Sequence, residues 1–235
     1  MANSSIYNQL FGNSSNMKGG SKLKFNGPQL MNLIFKKKEF LILVFANLIA
    51  QLGITYYVMQ KTDNSTVGFW PLFAAQIIII FILVLVPMPP IIKFLVFCVF
   101  SYTFGLSLSH LKEKYDGKMI DIAVQGALSI FGLMLTVGVI LIGFGQQLGY
   151  RFGAFLFWAL LALIIARLVL VLGQGLSTAN KVLSYVGLAL FSLFVVYDTN
   201  QILSRDYNGD FITASLDYYL DILNLFSNML NINDN

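Results

Sequence analysis

Long apolar runs decide what this chain can become. Seven of them, at residues 40–59, 69–86, 91–109, 119–142, 152–172, 182–203 and 211–232, each lie close to the ~20 residues that carry a helix across a bilayer. None alternates apolar with polar positions, which rejects a β-barrel. The links between runs are short, so successive helices should be antiparallel neighbours, and Pro87, Pro89 and Pro90 mark a tight turn between the second and third. Only 11% of the 235 residues are charged and 57% are hydrophobic, whereas a soluble domain carries about 25% charged residues. The expected fold is all-α, an integral membrane bundle of seven transmembrane helices spanning residues 39–235. Residues 1–38, rich in Asn, Ser and Gly and ending in Lys36-Lys37-Lys38, read as a flexible polar and basic tail. A short apolar piece at 30–35 is expected on the membrane surface, and the opening residues lack the apolar core of a cleavable signal peptide.

The net charge of +4 sits largely in that tail, which suits orientation in a bilayer and argues against nucleic acid as a partner. With the N-terminus inside, the inner side holds Lys18, Lys22, Lys24, Lys36, Lys37, Lys38, Lys93, Arg151 and Arg205. The outer side holds Lys61, Lys112, Lys114, Lys118 and Lys181. Nine against five predicts a cytosolic N-terminus. Seven spans then put the C-terminus on the outer or lumenal side; a re-entrant seventh segment would leave both ends cytosolic. Cys98 and His110 are the only residues of their kinds, so an intrachain disulfide is excluded and zinc-hydrolase chemistry is not expected.

Chemistry concentrates in the last two segments. Asp198 lies inside the sixth, and Asp217 and Asp221 lie inside the seventh. An ionised aspartate at mid-membrane costs roughly 2.5–3.5 kcal/mol on insertion scales, so such residues are usually functional. Asp217 and Asp221 are four apart and share one helical face. A tight hairpin at 204–210 turns that face toward Asp198. Two carboxylates meeting in an apolar site should compete for one proton, which makes a pH sensor and a cation site from the same groups. No lipid-facing position suits the seventh segment, with two Asp plus Asn224 and Asn228. It is therefore expected at the centre, wrapped by the other six.

These residues resemble the transmembrane Bax inhibitor motif family. Its late signature is matched by Tyr197-Asp198-Thr199-Asn200-Gln201 and by Leu220-Asp221-Ile222-Leu223-Asn224-Leu225-Phe226. The region from Gly105 to Ser109, and Gln125-Gly126-Ala127 through Ile130-Phe131-Gly132, are similar to the family's third and fourth helices. The resemblance covers about residues 40 to 232. It implies a seven-helix bundle with a central last helix and a pH-sensitive calcium leak in an internal membrane, or in the inner membrane of a bacterium. It also implies protection against cell death in eukaryotic and viral members. By position Asp198 and Asp221 are the paired aspartates, and Asp217 matches an acidic position of some members. Two departures stand out: 69–86 lacks the second-helix Arg of bacterial-type members, and the basic C-terminal tail of the founding subgroup is missing.

The leading expectation is a passive calcium leak without a resident cofactor, calcium being the permeant ion held by Asp198 and Asp221, with Asp217 on the same pathway. Asn224, Tyr197 and Thr199 are expected to supply supporting polar contacts, Asn224 by bonding between helices. Arg167 reads as a residue that snorkels to the membrane edge, or else as the missing basic latch. His110 reads as a solvated residue at a helix end. Gly145, Gly149 and Gly153 read as turn glycines, and the sequons at Asn3, Asn13 and Asn64 as unfavoured for glycosylation. The rival classes are an interaction protein that binds cell-death or stress regulators without transport, and an intramembrane aspartyl protease. The protease fits poorly because Asp221 follows Tyr219-Leu220 rather than a Gly-x-Gly run. A non-enzyme, monomeric or in a small homo-oligomer with the bilayer as its surroundings, is the expectation.

Overall fold

The computed structural model describes residues 25–62, 67–172 and 177–234. The tail before residue 25, with Lys18, Lys22, Lys24 and two of the sequons, lies outside the described residues, as does Asn64-Ser65-Thr66. Among the described residues there are eight α-helices and one 3-10 turn, and no strand. The helices are α1 (Gly27–Lys36), α2 (Lys38–Lys61), α3 (Phe69–Leu85), α4 (Pro90–Ser109), α5 (Gly117–Gly143), α6 (Tyr150–Leu172), α7 (Ser177–Ser204) and α8 (Phe211–Asn233).

Five of them are long and apolar enough to cross a membrane: Lys38–Lys61, Pro90–Glu113, Gly117–Gly143, Tyr150–Leu170 and Thr178–Ser204. The chain is thus a multi-pass membrane protein, but two of the seven expected spans do not meet that measure. α3 is apolar and only 17 residues long. α8 has the length, and its acids and amides lower its hydropathy. It runs as one unbroken helix of 23 residues, about 34 Å at 1.5 Å per residue, which does not fit a re-entrant hairpin.

The packing explains how a helix with that polar content is tolerated. α8 lies against α7, α5, α2 and α4 and has buried side chains from Ile212 to Leu230. On one side it joins a hydrogen-bonded ladder. Asn47 Nδ2 donates to Ser215 Oγ (2.5 Å), Gln51 Nε2 to Asn47 Oδ1 (3.1 Å) and Ser101 Oγ to Gln51 Oε1 (2.8 Å). The Thr55 and Tyr219 hydroxyls meet at 2.5 Å. Water is absent from a bilayer core, so such groups must satisfy one another. By contrast α3 packs mainly on α4, and α6 mainly on α7, leaving a gap beside the other face of α8.

The two ends of the bundle are tied differently. At one, Lys93 Nζ pairs with Asp210 Oδ2 at 2.5 Å, and Lys37 Nζ donates to the carbonyls of Ile202 (2.8 Å) and Arg205 as α7 ends. Burial lowers the pKa of Lys37 from its ordinary value, opposed by the nearby charge of Asp206. At the other, Lys114 pairs with Asp234, and the Tyr115 hydroxyl donates to Asp234 at 3.2 Å.

α1 falls inside the stretch that the sequence reads as tail. Asn26 caps it by accepting from the Gln29 N–H (3.2 Å), and Pro28 sits in its first turn. Leu30, Leu33 and Ile34 pack on Val139, Ile142 and Leu203, while Met31 and Phe35 stay exposed. Of the spaced glycines, Gly145 is a turn residue with φ +72°, whereas Gly153 is helical and closely faces the Tyr197 ring.

An acid-lined cavity as the candidate functional site

Asp217, Asp221, Asn224 and Asn228 follow one another at four, three and four residues, so they form a stripe along a single face of α8. The stripe looks into a cavity of about 540 Å³ walled by Phe73 and Ile80 of α3, Leu163 and Arg167 of α6, and Phe191, Phe194 and Asp198 of α7. Apart from its acids, its amides and one guanidinium, the wall is apolar. The hairpin between α7 and α8 folds the two helices side by side and brings the Asp198 and Asp221 carboxyls within hydrogen-bonding reach of each other. Asp221 is 4% exposed, and its Oδ2 has no hydrogen-bond partner among the described residues. Asp198 and Asp217 are half-buried, open toward the cavity.

The hairpin itself supplies a group that the sequence reading missed. The Tyr207 hydroxyl donates to the Asp217 carboxylate. Burial, together with the charges of Asp217 and Asp198, pushes the Tyr207 pKa far above its usual value, so this residue is a neutral donor. Nearby, Tyr218 donates to Thr199 Oγ1 at 2.9 Å. Tyr197 does not join them; its ring packs on Phe152 of α6, 6.0 Å between centroids. Asn224 also departs from expectation. Its Nδ2 donates to Leu220 O of its own helix (2.8 Å) rather than across to a neighbour.

The amides that follow Asp198 in sequence do structural work. Asn200 Oδ1 accepts from Leu148 N–H (2.9 Å), Asn200 Nδ2 donates to Gln146 O (2.9 Å) and Gln201 Nε2 to Leu148 O (2.6 Å). They clamp the loop between α5 and α6 onto α7. Arg167 does not snorkel outward: its guanidinium donates to Asn228 Oδ1 at 2.5 Å and lines the same cavity. His110 opens the 3-10 turn after α4, half-buried, with Nδ1 lacking a partner among the described residues. No group of three or more His, Cys, Asp or Glu side chains is arranged to hold a metal among the described residues. Carboxylate oxygens are the ligand type that hard cations take, and Asp198, Asp217 and Asp221 all line the cavity.

Known proteins place this geometry in context. Residues 34–234 match the family described as Inhibitor of apoptosis-promoting Bax1. Protein LIFEGUARD 1 of Arabidopsis thaliana is 26% identical over 148 residues, covering 61% of each chain. The Golgi anti-apoptotic protein of Vaccinia virus (strain Lister) is 28% identical over 135 residues, 57% of this chain and 55% of its own. Bax inhibitor 1 of Schizosaccharomyces pombe is 26% identical over 207 residues, 83% of this chain and 76% of its own. The aligned part thus spans 61% and 55% of the plant and viral relatives.

Proposed function

This chain belongs to the Inhibitor of apoptosis-promoting Bax1 family, and on that premise we propose that it is a passive calcium leak controlled by a proton shared between Asp198 and Asp221. The observation that carries this reading is the approach of those two carboxyls inside one largely apolar cavity. With one proton between them, the pair is a hydrogen-bonded clasp joining α7 to α8 and offers little negative charge. Loss of that proton leaves two carboxylates that repel each other, loosening the clasp and creating an oxygen-lined cation site. Asp217 extends the site toward the hairpin, where Tyr207, Lys93 and Asp210 surround it, while Tyr218 and Arg167 are the other charged or titratable neighbours. Calcium flux should therefore rise with pH through the titration of the pair.

Seven crossings complete the reading. α3 serves as a short second span and α8 as a last span shielded by its neighbours, with the N-terminus in the cytosol. The names of the viral and fission-yeast relatives support an anti-apoptotic role exercised in an internal membrane, through the calcium content of that store. In calcium-loaded proteoliposomes, Asp198→Asn and Asp221→Asn should each lose most of the flux and its pH response. Unchanged flux and pH response in both variants would overturn the proposal. In cells, a double Asn variant that loses flux yet keeps full cytoprotection would favour an interaction protein for cell-death or stress regulators instead.

A further inference from the structure

Asn228 stands seven residues beyond Asp221 on α8, about 10 Å along the helix axis, and it holds the one basic group on the cavity wall. Its own amide is committed. Nδ2 donates to Asn224 O at 2.7 Å, which leaves Oδ1 to accept from Arg167. Behind it, Gly187 of α7 has no side chain, and a methyl group there would collide with Asn228 Oδ1. Asn228 is 1% exposed, so the amide is a fixed peg. Among the described residues the guanidinium hung on it keeps Nε buried and without a partner, and in the same cavity Asp221 Oδ2 is buried and unpartnered too.

We propose that Arg167 is the electrostatic gate of the acid-lined cavity, a tethered cation between the three aspartates and the bundle end that carries Lys114 and Asp234. The inference rests on the cation-leak reading above and assigns its rate-setting residue. A guanidinium stays charged at every physiological pH, so the barrier it sets is separate from proton control at Asp198 and Asp221. A cation leaving the acids toward that end must pass a fixed positive charge inside a low-dielectric wall, where repulsion is weakly screened. A divalent ion is held back more than a monovalent one.

The test uses proteoliposomes of the full chain with calcium alone as the probe. Arg167→Gln should raise calcium efflux at least about tenfold at fixed pH, and raise it more than potassium efflux. Arg167→Lys should stay within about threefold of wild type, because the charge is kept. Should the Gln variant fail to fold, Arg167→Cys in a Cys98→Ser background, modified after reconstitution, asks the same question. A cationic thiol reagent should suppress its flux, and a neutral reagent of similar size should not. Wild-type flux in Arg167→Gln, reduced flux in a variant that melts normally, or equal effects of the two reagents would each overturn the gate. Those results would leave the leak itself standing, which falls instead if Asp198→Asn and Asp221→Asn keep wild-type flux and pH response.

Discussion

Asp210 holds the start of α8 by three bonds, one of them from the Thr213 hydroxyl to its Oδ2 at 2.7 Å. Its Oδ1 accepts from the Thr213 N–H at 3.0 Å, and its Oδ2 meets Lys93 Nζ at 2.5 Å. Burial alone would raise its pKa, but the Lys93 ammonium and the Thr213 N–H and hydroxyl outweigh that and hold the carboxyl below its ordinary value. A depressed pKa in the folded state means that stability is contributed above the unfolded carboxylate range. It is lost as pH falls through the folded value. The side chain is 39% exposed, so solvent screens the ion pair and the cap is the larger part. Asp210→Ala should cost about 1 kcal/mol at neutral pH, read as a lower melting temperature in detergent, and the difference should shrink in acid; a pH-independent difference would contradict the assignment. The cap is readable in sequence as Asp-x-x-Thr before an apolar run, and the acids as charges set in apolar surroundings. Asn200 and Gln201 were not readable in the same way. They hold backbone groups of a loop some fifty residues earlier, and no local pattern announces such a partner. Tyr207 was hidden for a related reason, since only the closed hairpin brings its hydroxyl to Asp217.

At the scale of elements, α8 works because its two polar faces meet different surroundings. Toward α2 and α4, the ladder from Asn47 to Tyr219 is satisfied bond by bond; toward α3 and α6 the acids look into open space. The first face should be stiff and the second adaptable. Gln51→Leu removes the centre of the ladder and strands Asn47 Oδ1, while the Ser101 hydroxyl keeps only its bond to Tyr219. At about 0.6 kcal/mol for each bond lost inside a membrane, it should lower thermal stability while leaving the pH response of flux in place. A shifted pH response in that variant would show that the two faces are not independent. The low hydropathy of α8 is the sign, visible before any coordinates, that protein rather than lipid covers it. α1 is the converse case. Only its apolar piece at 30–35 stands out in the sequence; the full ten-residue helix gains definition from the Asn26 cap and from a landing site on Val139, Ile142 and Leu203.

Over the whole molecule, the chain's polar ends sort themselves. Lys37, Lys93 and Asp210 gather at one end of the bundle, and Lys114, Tyr115 and Asp234 at the other. Lys36 and Lys118 are separated by α2, α3 and α4, so the proposed crossing by α3 predicts that they lie on opposite faces of the membrane. Single cysteines at these positions, in a Cys98→Ser background, should react with a membrane-impermeant thiol reagent from opposite sides; labelling from one side only would remove a crossing. The peripheral docking of α3 and α6 gives the acid-lined cavity walls that rest on few neighbours, while α8 is anchored on several. The proposed leak would open by moving its outer walls and its α7–α8 clasp, with the ladder as the fixed frame. The most direct test measures the shared proton and the ion together, on the same proteoliposomes. Difference infrared spectroscopy across a pH series should show a protonated-carboxyl band, absent from Asp198→Asn and Asp221→Asn, that disappears over the pH range in which calcium efflux rises. Efflux that rises with no change in that band, or a band that survives in both variants, would contradict the account.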